Sequence, residues 1–452
     1  MKRIITLAIV MCMAFAAVTG CAQKNGAGNQ NNTTEANSTV KGGETSGTEN
    51  QKPKELTVWV DKLFYDKSNE MLKNRIEEYG SSNGIKINVE MIANQDMQTK
   101  WAAAVESKNY PDVTTIGSQD LGNFIDKGLM KDLSPLFAKI EEKNGKIFQS
   151  LKDVNTVDGK IYGIPRSANG HTMLYRTDLL EKAGYKEPPK TWEEFAAMAK
   201  KITDQGNGVY GAGIGYGMKD SDAEWFTRYV LASYGASINS EDGKSADLNT
   251  PEAIEAIQLL ADIVTESAPP SATNWDDTGN NKAYLAGQVA FAFNAASLYL
   301  SAKENPEIKD VTAIAPVPAG PAGRYIIGSC MDYAIFEGSK NHDYAEQVIE
   351  YIMEKDWYEQ WSESCAPLQG PVYEQLADAS VWKDIPDNKT IMETIKSCRF
   401  LGYPGPSNAE AGIIYNKRYI NEMFQRILIE KVPVETAVKE MNDKINKEVY
   451  NK

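Results

Sequence analysis

The sequence predicts an α/β protein built in more than one lobe. Three observations lead there. Short runs of alternating apolar residues are separated by stretches of helical period, the pattern of βαβ units around a parallel sheet. Two helix starts carry clear capping signals. The chain has 452 residues, 42% of them hydrophobic, which is long for one compact domain and comfortable for two.

Taken in order, the first strand is read from Leu56, Val58 and Val60, which alternate with Thr57 and Trp59. Met71, Leu72, Ile76 and Tyr79 then mark a helix, and Ile85, Ile87, Val89 and Met91 a second strand. A helix over 97–107 leads to a third strand over 112–116. In KTWEEFAAMAKKI, Thr191 is an N-cap with Glu194 three residues on, a capping box. Trp192, Phe195, Met198, Ala199 and Ile202 make its apolar face. In NTPEAIEAIQLLADIV, Thr250 is the N-cap and Pro251 the first helical residue. The glycine-rich GAGIGYG at 211–217 lacks dinucleotide-binding spacing and is expected as a loop. Asp242-Gly243 reads as a turn. VTAIAPVP, from Val311, reads as extended, residues 344–354 as helix, and 409–448 as mostly helical.

The N-terminus speaks to place. Lys2 and Arg3 precede an apolar run over 4–18, too short for the roughly 20 residues that span a bilayer. Residues 1–20 have the order of a secretory signal. Val18-Thr19-Gly20-Cys21 resembles the lipobox of bacterial lipoproteins. That resemblance implies a lipidated Cys21 as first residue of the mature chain; the alternative is a cut near Ala17, with Cys21 an ordinary thiol. Residues 21–53 are rich in Asn, Gly, Ser and Thr and are expected to be a flexible tether.

Composition narrows function. A net charge of −14 argues against nucleic acid. Beyond Cys12 and Cys21, three scattered cysteines (Cys330, Cys365 and Cys398) make no disulfide framework. Two histidines, His171 and His342, cannot form a zinc-peptidase helix. No phosphate loop, Cys-x-x-Cys pair or nucleophile elbow is present, so no metal or cofactor is expected. Adjacent Asp276 and Asp277 suit a solvated acidic surface better than the opposed carboxylates of a glycosidase.

Four segments, residues 110–137, 157–195, 280–297 and 311–352, together resemble the extracellular solute-binding proteins of ABC importers, the group shaped like maltodextrin-binding protein. The resemblance implies a type II periplasmic-binding-protein-like fold. Each of its two lobes is a mixed or parallel sheet flanked by helices. The first is expected over 54–167 with 317–355, the second over 168–316 with 356–452. Three hinge crossings are expected near 165–176, 310–316 and 353–358. It also implies ligand contacts at Asp61 after the first strand, at Ser118, Gln119 and Asp120 after the third, and at Asn169 in PRSANGHT. Trp225 matches a ring that stacks on sugar, and Asn294 lies near a family aromatic position where this chain has no Trp. Tyr403 in YPGP offers another ring. Trp275, with Asp276 beside it, is added from its loop setting; it is a ligand contact or loop packing.

Each of these has a plainer reading. Asp61 could cap a turn, Gln119 and Asp120 could begin a helix, and His171 could be structural. Arg166 and Arg228 would serve an anionic solute or form salt bridges. The expectation is a monomeric, lipid-anchored receptor on the outer face of a bacterial membrane. It would pass a mono- or oligosaccharide to permease subunits. A secreted glycan hydrolase and a polyamine binder using Asp61, Asp120 and Asp276 are the alternatives.

Overall fold

In the computed structural model, residues 52–451 are described. Strands β1 (Glu55–Asp61), β2 (Lys86–Ile92) and β3 (Val113–Gly117) form as expected, with helices Asp66–Asn83 and Asn94–Ser107 between them. A small hairpin, β4 (Thr156–Val157) and β5 (Lys160–Ile161), precedes β6 (Ile164–Asn169) and β7 (Thr172–Arg176). Then come β8 (Tyr210–Gly213), β9 (Val289–Asn294), β10 (Thr312–Ala315), β11 (Ile326–Ile327), β12 (Ser329–Ala334) and β13 (Cys398–Arg399).

Two main sheets result. The first runs β2-β1-β3-β12-β6 and the second β10-β7-β9-β8. β1 pairs in parallel with both β2 and β3, as the βαβ pattern requires, whereas β12 joins antiparallel to β3 and β6. Leu56, Val58 and Val60 are fully buried, so the alternation read from the sequence is the core face of β1. Gly170 and His171 alone separate β6 of the first sheet from β7 of the second.

Both predicted caps form. Thr191 Oγ1 accepts from the Glu194 amide at 3.2 Å, and Thr250 Oγ1 from the Ala253 amide at 3.2 Å. Glu194 reaches back to the Lys190 amide at 2.7 Å, one residue before the cap. Helix Trp192–Ile202 buries Trp192 beneath the second sheet. There its ring meets Phe195, Phe226 and Phe293 at 5.5–5.9 Å, and its indole N–H donates to Ser233 Oγ at 2.9 Å.

One expectation changes. GAGIGYG is not all loop: Gly211, Ala212 and Gly213 belong to β8. A Cβ at Gly211 would lie 2.0 Å from the Ala199 carbonyl oxygen. The glycine is there because helix Trp192–Ile202 lies directly on the strand, a tertiary reason invisible to local pattern.

Helix Lys355–Ser364 packs on helix Asp66–Asn83. The Trp361 indole donates to Ser68 O at 3.1 Å, and Ser68 Oγ donates to Ser364 O at 2.9 Å. The expected boundary at residue 356 would place this helix with the second lobe; its contacts are beside the first sheet. Cys330, Cys365 and Cys398 are free and buried. Among the described residues, no helix is long and apolar enough to cross a membrane. Cys21 and most of the expected tether lie outside the described residues.

Candidate ligand-binding site

Parallel strands deliver the residues that follow them to the same edge of a sheet, where α/β folds place ligands. β1 ends at Asp61 and β3 at Gly117, and the residues there meet in one cavity of about 200 Å³. Asp61, Phe64, Asn94, Gln119, Arg166, Asn169 and Ser329 line its first-sheet side, and Ala295 and Ser297, just after β9, the second-sheet side. Lys62, Leu63, Tyr65, Cys330, Met331, Cys365, Leu368 and Gln369 complete the lining.

The wall is rigid at Asp61 and Arg166. Arg166 Nη2 donates to Asp61 Oδ2 at 3.0 Å. Nη1 lies 2.9 Å from Oδ1 as a close ionic contact whose angle is poor for a second hydrogen bond. Arg166 is fully buried, and burial opposes its charge; the Asp61 carboxylate, with smaller contributions from Tyr333 and Cys365, works the other way and leaves its pKa raised. Thr115 Oγ1 accepts from the Asp61 amide at 2.8 Å, and the Tyr358 hydroxyl donates to Arg166 O at 2.7 Å.

The amides around them are positioned with spare capacity. Asn169 Oδ1 accepts from Ser329 Oγ at 2.7 Å, a bond that spares the two N–H donors of the amide. Gln119 Oε1 is buried without a partner. Gly117 makes room for it, since a Cβ there would lie 2.3 Å from the Gln119 amide nitrogen. Phe64, 68% exposed, supplies an aromatic face at the rim. The sequence reading passed over Phe64; its one signal was an aromatic residue in the loop after a strand whose end was already suspected.

The other expected site residues lie elsewhere. Ser118 sits below the wall, its Oγ accepting from the Cys330 amide at 3.4 Å. Asp120 faces a separate groove and accepts from Gln98 Nε2 at 3.1 Å; burial raises its carboxyl pKa to about 6. The Trp225 indole donates to the Tyr415 hydroxyl at 3.1 Å, with ring centroids 5.0 Å apart. Trp275 donates to Ser271 Oγ at 3.2 Å and packs over Gly279. Asp276 Oδ1 accepts from the Thr278 hydroxyl and amide, which lower its pKa. Asn294 Nδ2 donates to Asp222 Oδ2 at 3.0 Å and Asn281 Oδ1 at 2.8 Å. Arg228 pairs with buried Glu224 at 3.2 Å. His171 is partly buried, and desolvation lowers its pKa to about 4.

Tyr403 lines a larger space of about 620 Å³ with Phe148 and Arg399. That space is roomier, but Asp61, Gln119 and Asn169 converge on the smaller one, and a few convergent polar groups define a recognition site better than volume does.

Two α/β sheets with a polar cavity lined from both of them define a two-lobe binding protein. The chain belongs to the bacterial extracellular solute-binding protein family, which it matches over residues 74–392. A binding protein of Brucella abortus (strain 2308) is 29% identical over 320 residues, covering 70% of this chain and 76% of the relative. The lactose-binding protein of Rhizobium radiobacter is 24% identical over 317 residues, 67% of this chain and 71% of the relative. An ABC transporter solute-binding protein from Thermotoga lettingae, solved with α-D-tagatose, superposes with a TM-score of 0.73 at 23% identity, covering 87% of this chain and 99% of that one.

Proposed function

We propose that the protein is the sugar-capturing component of an ABC importer, tethered to the outer face of the cell membrane through lipid on Cys21. It closes its lobes over the ligand by hinge rotation and presents it, unchanged, to permease subunits. The observation that carries the sugar reading is the cavity wall itself. Asn94, Gln119, Asn169, Ser297, Ser329 and Gln369 offer neutral donors and acceptors, and Phe64 offers a flat apolar face. Hydroxyls and C–H faces of a sugar match that set. The names of the relatives, lactose-binding and tagatose-bound among them, support it.

Asp61 is the one carboxylate among the described lining residues, and Arg166 occupies it. That disfavours a polyamine, which calls for several free carboxylates. It equally disfavours glycoside hydrolysis, which calls for two opposed acids. The two lobes follow the two sheets, with helix Lys355–Ser364 moving with the first.

Incubating the purified protein with a sugar panel tests this. A rise in melting temperature that scales with ligand concentration, without new products by chromatography, is expected. Product formation would make it an enzyme; no response to any sugar would end the carbohydrate reading. Metabolic labelling with a fatty-acid analogue, comparing wild type with Cys21→Ser, tests the anchor.

A further inference from the structure

Helix Ser118–Ile125 starts where β3 ends and so belongs with the first sheet. Helix Ala409–Lys417 is held from the second-sheet side. Asn408 Nδ2, at its start, donates to Gly243 O at 2.9 Å, and the Tyr415 hydroxyl accepts from the Trp225 indole. The next helix, Tyr419–Leu428, is fixed to the same lobe. There the Ile420 amide donates to buried Glu224 Oε1 at 3.2 Å, and Asn421 Nδ2 donates to Gly217 O at 2.6 Å.

The two helices nevertheless meet backbone to backbone. A Cβ on Gly122 would lie 2.8 Å from the backbone carbon of Asn408 and from the Ser407 carbonyl oxygen. A Cβ on Gly412 would lie 3.0 Å from the Gln119 carbonyl oxygen. These neighbours are backbone atoms, so a side chain at either glycine would push the helices apart. Ser407 Oγ donates to Ser118 O at 3.4 Å. Asp126, just past the first helix, faces the start of the second: burial and the Glu410 carboxylate raise its pKa, against the pull of the Ala409 amide. None of Gly122, Ser407, Asn408 or Gly412 lines the ligand cavity. The contact joins the lobes without touching what they enclose, and rotation of one lobe on the other must make and break it.

We propose that these two helices form a clasp, made as the lobes close and released as they open, whose strength is set by Gly122 and Gly412 and which favours the closed form before a ligand adds to it. This rests on the hinge reading above and adds a control of affinity outside the cavity. A ligand that needs the closed form has an apparent Kd equal to its intrinsic value divided by the closed fraction. Loosening the clasp therefore raises Kd by one factor for every ligand and leaves their order unchanged.

Gly122→Ala and Gly412→Ala test this. Alanine has the higher helix propensity, so neither change weakens its own helix. Ser407→Ala, which removes only a hydroxyl, is the third variant should the glycine variants fail to fold. Calorimetry with a panel of monosaccharides, disaccharides and pentitols is expected to show Kd raised about fivefold or more in both glycine variants for each sugar the wild type binds, in the same order. Small-angle scattering without sugar is expected to show a larger radius of gyration in the variants than in the wild type; the N-terminal segment is common to all of them. A changed order of sugars overturns the clasp, since the glycines would then act on the ligand. If all proteins share one starting radius and contract alike with sugar, the hinge stands and the clasp is overturned. If no radius differs or changes at all, the hinge falls with it. A larger radius in the variants while no sugar binds any protein supports the clasp and sinks the carbohydrate reading instead.

Discussion

Asp61 and Arg166 face one another across the cavity wall, one from the end of β1 and the other from β6, both buried and 2.9–3.0 Å apart. Neither strand neighbours the other in the sheet, so the pair spans β3 and β12. A buried pair is costly to break because the surviving charge stays desolvated. Arg166→Met should therefore lower unfolding free energy by about 3–5 kcal/mol. Asp61→Asn added to it should recover part of that loss. Urea denaturation of the four proteins gives the coupling, and a strictly additive double variant would show that the two side chains are independent.

Asp332, on β12, is fully buried and its pKa is raised to about 7, chiefly by desolvation. It accepts from Asn155 Nδ2 at 2.7 Å and from the Cys330 thiol at 3.1 Å. An acid with a raised native pKa binds more protons folded than unfolded. Its stabilising contribution is full below the unfolded value of 3.8 and is lost as pH rises through about 7. His171, lowered to about 4, works oppositely: its contribution is full above 6.5 and falls away with acid. Asp332→Asn mimics the protonated acid, so it should match wild type near pH 4 and melt higher than wild type near pH 8. A Tm difference between the two proteins that stays flat across that range would refute the buried titration.

Phe64 is exposed, and the Tyr65 ring lies 5.9 Å from its own, edge to face. Phe64→Ala should leave the melting temperature of the unliganded protein nearly unchanged. Loss of a stacking face worth about 0.5–1.5 kcal/mol should raise the Kd for the bound sugar roughly two- to tenfold. Unaltered affinity by calorimetry would remove Phe64 from the site.

Gly211→Ala places a methyl group 2.0 Å from a helix carbonyl, with no side chain able to yield. Overpacking of this kind costs about 1–3 kcal/mol. Thermal unfolding should show a clear drop, whereas the same change at Gly159, which has open space though a positive φ of 76°, should cost less. Equal losses at the two sites would contradict the close approach of helix Trp192–Ile202 to β8.

Much of the fold was legible because it is local. The alternation in β1 and β2, the caps at Thr191 and Thr250, and the helices near the C-terminus are set by residues within a turn or two of each other. The parallel pairing followed from the alternation of elements. At the site, Asp61, Gln119 and Asn169 were picked out on the family resemblance and stand together in one cavity. Trp225 was marked by the same resemblance and Trp275 by its loop setting. Their indole N–H groups are instead held by Tyr415 and Ser271, 190 and 4 residues away in the chain. An aromatic residue looks alike in sequence whether its ring meets solvent, a ligand or another ring.

The sequence by itself determined the first three strands with their helices, the capped helices, the acidic net charge and the signal-like N-terminus, since each depends on composition or on near neighbours; the family showed in the resemblance of four segments. The tertiary structure decided which side chains share a cavity, that Arg166 answers Asp61, and that glycines at 122 and 412 bring two distant helices into backbone contact. These are relations between residues far apart in the chain. Burial, ion pairing and cavity volume come into being when the sheets and helices pack, and no local pattern carries them.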